Sequence, residues 1–142
     1  MITSLSGLLL LGGCATNRNG LSELEERIAS AENSYQLGLL SDAEAKFIRI
    51  LEDHPDLSDA WLKLGNVYVR TGQLEAAVRA YTTCIKTNTE NGKCWNNLAV
   101  VRVRQAIAGL EEGVSAVPQG SSEQEAIRQF YYELVKTIST AK

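Results

Sequence analysis

The chain is short of the residues from which most active sites are built. Its 142 residues include one histidine, His54, and two prolines. Acidic and basic side chains nearly balance, at 17 and 14, and no basic stripe of the kind that binds nucleic acid is present. No Gly-rich phosphate loop and no hydrolase or kinase motif occurs. These absences predict a non-enzymatic protein with no catalytic residue, no cofactor, no metal site, no nucleic-acid partner and no small-molecule substrate.

Long apolar runs are also absent, apart from one short run near the amino terminus. Residues 5–11 are apolar and uncharged, too few to cross a bilayer as a helix but typical of a secretory signal. The sequence Leu11-Gly12-Gly13-Cys14 that follows resembles the bacterial lipobox. That resemblance implies cleavage before Cys14 and lipidation of its thiol, by which the chain would be held in a membrane. We therefore predict a signal peptide over residues 1–13 and a lipid tether over residues 14–21.

The residue after the lipobox bears on location. Ala15, and not Asp, follows Cys14, which in lipoproteins of two-membrane bacteria implies sorting to the outer membrane, facing the periplasm. A signal peptide normally begins with a basic residue, and the first one here is Arg18. Two alternatives therefore stay open: the true start lies upstream, or the leader is incidental.

An internal repeat is the most informative feature that the sequence does contain. The residue types that follow Trp61 recur at the same positions after Trp95. A third, earlier period can be traced backwards. The matching positions are Trp61, Leu64, Gly65, Tyr68, Gly72, Ala77 and Tyr81, then Trp95, Leu98 and Ala99, and before them Ala31, Gly38, Ala43, Phe47 and Pro55.

Over residues 24–105 this pattern resembles the tetratricopeptide repeat. That repeat is a helix–turn–helix unit whose length in residues equals the separation of the two tryptophans. The resemblance implies an all-α fold, a helical-repeat solenoid that presents a surface to a protein partner. We predict one domain over residues 22–142, with repeats at 24–57 and 58–91. Gly65 and Ala99 are expected to let two helices approach closely.

The third unit departs from the repeat. Ala106 stands where a turn glycine is expected, and Glu111 stands where a small residue is expected. Apolar residues instead step by three and four, which predicts one continuous helix over 92–117. With this divergent unit, the solenoid has about two and a half repeats. The apolar stripe consists of Val100, Val103, Ile107, Leu110, Val114 and Val117.

A last amphipathic segment follows. Ser122-x-x-Glu125 has the form of a capping box, and it predicts a capping helix over 122–139 that packs antiparallel on the long helix. Phe130 and Leu134 are expected at the middle of that contact, with a polar outer face that ends the stack. The sequence therefore predicts six helices.

Two cysteines lie on either side of one predicted turn. If Cys14 carries lipid, Cys84 and Cys94 are left as a pair in an oxidising compartment. Residues about equally far from a turn between antiparallel helices can come within bridging distance, so we predict a disulfide. The alternative is two buried thiols, since the family prefers a core alanine at position 84.

The resemblance also implies a binding groove lined by the first helix of each repeat. Most of the residues at those positions are polar or cationic. They are Tyr35, Asp59, Leu62, Asn66, Arg70, Lys93, Asn96, Asn97 and Arg104.

Together these features predict a lipid-anchored adaptor that binds a peptide or helix of an envelope complex. The chain resembles the pilotin-like lipoproteins that assist assembly of pili or secretion channels. An adaptor that positions cell-wall enzymes or outer-membrane assembly factors is the alternative in the same class. A soluble co-chaperone or structural subunit with a spurious leader is the alternative from another class.

Overall fold

The computed structural model describes residues 16–140, with side chains from Gly20 onward. These residues form six helices and no strand, which confirms the predicted all-α fold. No helix among them is apolar over a length that could cross a membrane. In chain order the helices are α1 (Thr16–Gln36), α2 (Leu40–Asp53), α3 (Ser58–Arg70), α4 (Leu74–Thr87), α5 (Gly92–Ala116) and α6 (Ser122–Thr140).

The predicted turn glycines end α1 and α3 in the same way. Gly38 and Gly72 have φ angles of 77° and 76°, a left-handed conformation that costs glycine little. After Gly38, the Leu39 N–H donates to the Ser34 carbonyl at 2.9 Å, and after Gly72 the Gln73 N–H donates to the Tyr68 carbonyl at 2.8 Å. Each is the wide hydrogen bond of a Schellman motif. The same local signal therefore closes both repeat hairpins.

The core consists of two apolar clusters that follow the repeats. The first lies between α1, α2 and α3 and is built around Phe47, and the second lies between α3, α4 and α5 and is built around Tyr81. Trp61 and Tyr68 pack against both clusters, so the two halves form one continuous core. Phe47 and Tyr81, which occupy the same position of successive repeats, are each only 1% exposed.

Close approach of α3 and α4 depends on a glycine, as predicted for Gly65. A Cβ at Gly65 would lie 2.7 Å from Cδ1 of Tyr81, well inside the van der Waals contact distance. The prediction for Ala99 is wrong, because Ala99 is exposed. No second helix of a third repeat packs over Ala99, since α5 continues where the earlier repeats turn.

The last helix differs from its prediction in rotation. The cap lies one residue earlier than the predicted box: Ser121 Oγ accepts a hydrogen bond from the backbone N–H of Gln124 at 3.1 Å. The Gln124 side chain is buried and donates from Nε2 to the Val114 carbonyl at 2.9 Å. Residues that follow Gln124 at helical spacing, such as Ile127 and Tyr131, therefore turn towards α5.

This rotation contradicts two predictions for α6. Phe130 is 56% exposed and does not lie at the middle of the contact, while Leu134 is half-buried. The outer face is not uniformly polar, because Val135 and Ile138 are also exposed. Nor is the stripe on α5 fully covered, since Val100 is exposed. Among residues 16–140, α6 packs on α5 and on no other helix.

The amino-terminal boundary also differs from its prediction. Helix α1 begins at Thr16, so residues 16–21 of the predicted tether are helical. Cys14 and the predicted signal peptide over 1–13 lie outside the described residues.

Candidate functional site

The inner face of α1, α3 and α5 carries three neighbouring clefts that share lining residues. We call this surface the inner groove. Its first cleft, of about 220 Å³, lies between Tyr35, Asn66 and Arg104, and the next, of about 400 Å³, shares Asn66 and Asn97 with it. The third, of about 340 Å³, shares Leu62 with the second and is also lined by Phe47 of α2. Every residue predicted for the groove lines one of the three, namely Tyr35, Asp59, Leu62, Asn66, Arg70, Lys93, Asn96, Asn97 and Arg104.

Helical spacing explains why these residues come together. Asn66 and Arg70 are four residues apart on α3, and Asn97 and Arg104 are seven apart on α5, so each pair shares one helical face. Leu62 lies on the same face of α3 but is buried, so it forms apolar floor and presents little surface to a partner.

The electrostatic character of the groove differs between its two ends. At the end near α2, Lys63 forms an ion pair with Glu32 at 2.6 Å, which neutralises both charges locally. Arg104 and Lys93, by contrast, take part in no ion pair within residues 20–140. The groove is therefore cationic toward α5, although the whole chain has a net charge of −3.

Arg70 is held in place by Tyr35. Its guanidinium carbon lies 4.6 Å from the centroid of the Tyr35 ring, a cation–π contact, and Nη1 donates to the Tyr35 carbonyl at 2.7 Å. The side chain thus joins α3 to the end of α1. Arg70 also lines the first cleft, where a carboxylate or carbonyl oxygen could accept from its remaining donors.

A polar network crosses the floor of the groove. Asn66 Oδ1 accepts from the Tyr81 hydroxyl at 2.7 Å and from Asn97 Nδ2 at 2.9 Å. Because that oxygen is occupied, Asn66 has its Nδ2 donors left for a ligand. The Tyr81 phenol keeps its proton and its donor role at neutral pH, and burial raises its pKa further from neutrality, to about 12.

The two cysteines of the predicted bridge lie on α4 and α5. The structure joins Cys84 and Cys94 by a disulfide with their Cα atoms 6.2 Å apart, and both side chains are buried. This bond connects the end of α4 to the first turn of α5. It therefore fixes the position from which Lys93 and Asn97 face the inner groove.

A further cleft lies between α5 and α6, and sequence reasoning did not identify it. We call it the hairpin cleft; it has a volume of about 220 Å³ and is lined by Glu111, Val114, Arg128, Tyr131 and Tyr132. The signal that could have indicated it is the run Phe130-Tyr131-Tyr132, where three aromatic residues exceed what one helix face can bury. In the described part of the chain, no three His, Cys, Asp or Glu side chains gather into a potential metal site.

Stacked antiparallel helix pairs with a polar inner face define a helical-repeat protein. Residues 28–83 match the family model described as the tetratricopeptide repeat, which confirms the predicted resemblance over those residues. Such repeats are interaction modules, which bind proteins or peptides through their stacked surface. The chain is also similar to a peroxisomal targeting signal receptor of Candida albicans, with 29% identity over 97 residues. That alignment covers 59% of this chain but only 16% of the receptor.

Proposed function

We propose that this protein is a lipid-anchored adaptor of the bacterial envelope, which holds a segment of a partner protein in the inner groove. The observation that carries the proposal is the gathering of all the predicted groove residues on one continuous inner face. The similarity to a protein named as a targeting signal receptor supports binding of a protein segment rather than of a small molecule.

The chemistry of the groove indicates what kind of segment it would hold. Arg70, Arg104 and the Nδ2 group of Asn66 supply hydrogen-bond donors at one place. Donors of this kind favour a carboxylate, or the exposed carbonyls of an extended backbone. The cationic end toward α5 further favours an acidic segment, since opposite charges steer association.

The anchor rests on the sequence alone. Leu11-Gly12-Gly13-Cys14 resembles the lipobox, and Ala15 resembles the residue of outer-membrane lipoproteins, so the proposed location is the outer membrane, facing the periplasm. Together, anchor and groove suit a protein that assists assembly of a pilus or secretion channel. An adaptor for cell-wall enzymes or outer-membrane assembly factors would use the same two features.

Charge reversal in the groove tests the adaptor role. Lys93→Glu with Arg104→Glu should abolish co-purification of the partner proteins from detergent-solubilised membranes, measured by quantitative mass spectrometry. A matched control is Lys86→Glu with Arg102→Glu, which makes the same charge change at exposed positions away from the three clefts. If both variants retain the same partners as wild type, the groove is not the binding surface.

Labelling with palmitate tests the anchor. Cys14→Ala should remove the label and release the protein from the membrane fraction. Cys84→Ala with Cys94→Ala should leave the protein labelled and in the membrane fraction. An unlabelled wild type that fractionates like Cys14→Ala would mean that the leader is incidental. The alternative of a soluble co-chaperone or structural subunit would then replace the lipoprotein.

A further inference from the structure

We propose that the hairpin cleft is a second recognition pocket, which receives an aromatic or large aliphatic side chain of the same segment that lies in the inner groove. The inference rests on the proposed function, because it assumes that the groove holds an extended protein segment. It adds a specific requirement for the sequence of that segment.

The first cleft of the inner groove and the hairpin cleft lie along the same face of α5. Val100 and Arg104 line the inner groove, and Glu111 lines the hairpin cleft. These residues are four and seven apart, the spacing that places side chains on a single helical face. Helix α6 packs on α5 and on no other described helix, and none of its residues lines the first cleft of the groove.

The separation suits a short extended segment. Arg104 and Glu111 are seven residues apart on a helix, which corresponds to about 10 Å along its axis. An extended chain covers that distance in about three residues. A segment with an acidic residue at Arg104 would therefore place the residue three positions away over the hairpin cleft.

The lining of the hairpin cleft favours an apolar side chain with a polar edge. Tyr132 is 67% exposed, and its ring meets that of the half-buried Tyr131 edge-to-face at 5.6 Å. Val114 forms the apolar wall, and Arg128 takes part in no ion pair within residues 20–140. Tyrosine and arginine around an apolar depression are typical of binding hot spots. Glu111 and Arg128 carry opposite charges there, so the cleft on balance favours neither an acidic nor a basic residue.

Charge complementarity identifies the occupant as a protein segment rather than a membrane surface. The first cleft of the groove carries the cations Arg70 and Arg104, whereas the hairpin cleft carries one anion and one cation, Glu111 and Arg128. An anionic membrane would favour a face that is cationic throughout, whereas a segment with one acidic and one aromatic residue suits a cationic groove beside a cleft whose charges balance.

Selection of peptides tests the spacing directly. The full chain carrying Cys14→Ser, with its disulfide intact, would be panned against a phage library of random peptides. We expect enriched peptides to carry an acidic residue three positions from an aromatic or large aliphatic one. Affinity of an enriched peptide, measured by fluorescence anisotropy, should fall at least about tenfold in Tyr132→Ala.

Phe130 offers a matched control. It is an exposed aromatic residue on the same helix, two positions from Tyr132, and it lines neither cleft. Phe130→Ala should leave the affinity unchanged. Replacing the aromatic residue of the peptide by alanine should cost the same factor as Tyr132→Ala, and the two changes together should cost no more than either alone.

The outcomes separate the two proposals. If Arg104→Glu weakens the peptide but Tyr132→Ala does not, the hairpin cleft is not a recognition pocket and the groove proposal stands. If no enriched peptide depends on Arg104 or Lys93, both proposals fail. If Tyr132→Ala instead converts a dimer to a monomer in sedimentation, a second copy of the chain covers this face and the inference is wrong.

Discussion

The hairpin of α3 and α4 and the hairpin of α5 and α6 begin alike and pack differently. Trp61 Nε1 donates to the Pro55 carbonyl at 2.8 Å, and one repeat later Trp95 Nε1 donates to the Thr89 carbonyl at 3.0 Å. Yet Trp61 is half-buried against both core clusters, whereas Trp95 is 53% exposed. The hydrogen bond from the indole to the preceding turn therefore forms whether or not other side chains bury the tryptophan.

The difference comes from the number of neighbouring helices. Helix α4 packs between α3 and α5, while α6 packs on α5 alone. A Cβ at Gly113 would lie 3.4 Å from Cδ1 of Ile127, so an antiparallel α6 that ends at Thr140 reaches back only to the level of about residue 100. Trp95 lies beyond that level. A helix with one neighbour leaves apolar surface exposed, and in this protein that surface adjoins the candidate groove.

The largest expected contrast is between two phenylalanines. Phe47→Ala should lower the free energy of unfolding by about 3–5 kcal/mol, because it empties the middle of the first core cluster. Phe130→Ala should change it by less than about 0.5 kcal/mol, because that ring is mostly in solvent. Urea titrations of both variants measure the two values. Equal losses would mean that α6 is rotated with Phe130 against α5.

The disulfide joins the two regions, and its loss should be the next largest effect. Reduction of the Cys84–Cys94 bond, which spans 10 residues of sequence, should lower the free energy of unfolding by about 2–3 kcal/mol. Alkylation of denatured protein isolated without reductant should find neither thiol free. Cys84→Ser with Cys94→Ser should then be insensitive to reductant. Full alkylation of the wild type before reduction would contradict the bridge and leave two core thiols.

Alkaline pH should act on the repeat core through Tyr81. Its pKa is raised by burial to about 12, from an unfolded value of 10.0, so folding stabilises the protonated phenol. This contribution is complete below pH 10 and is lost as the pH rises toward 12, to a total of at most about 2–3 kcal/mol. Thermal unfolding at several pH values between these limits would show a smaller decline in Tyr81→Phe than in wild type. Identical slopes would mean that the Tyr81 hydroxyl ionises freely in the folded state.

The smallest expected effects have opposite signs in the two hairpins. Gly65→Ala places a methyl group against the Tyr81 ring and should destabilise the protein by about 1–3 kcal/mol. Gly109→Ala, in the middle of α5, meets no atom within 4 Å and should stabilise it by up to about 1 kcal/mol through helix propensity. Denaturant midpoints compare the two variants. A destabilising Gly109→Ala would show that another surface packs on that side of α5.

Much of the groove could be predicted because the repeat constrains it. Residues such as Asn66 and Asn97 belong to the first helices of adjacent repeats, α3 and α5. The repeat period that predicted these helices therefore also predicted that the two side chains lie near each other. The hairpin cleft could not be predicted in this way. Tyr131 and Tyr132 belong to a helix with no earlier equivalent, and an aromatic run does not say which ring faces a neighbour.

The sequence by itself determined the helices, the glycine turns and the equivalence of core positions such as Phe47 and Tyr81 in successive repeats. It could do so because each repeat meets the same neighbours, so local pattern and tertiary contact agree. Only the tertiary structure decided the rotation of α6 and therefore the exposure of Phe130. That rotation depends on the buried Gln124, whose amide reaches the Val114 carbonyl across the turn. A buried amide needs a hydrogen-bond partner, and this partner is in reach only once the turn has brought α6 beside α5, so the pattern of α6 alone does not specify the contact.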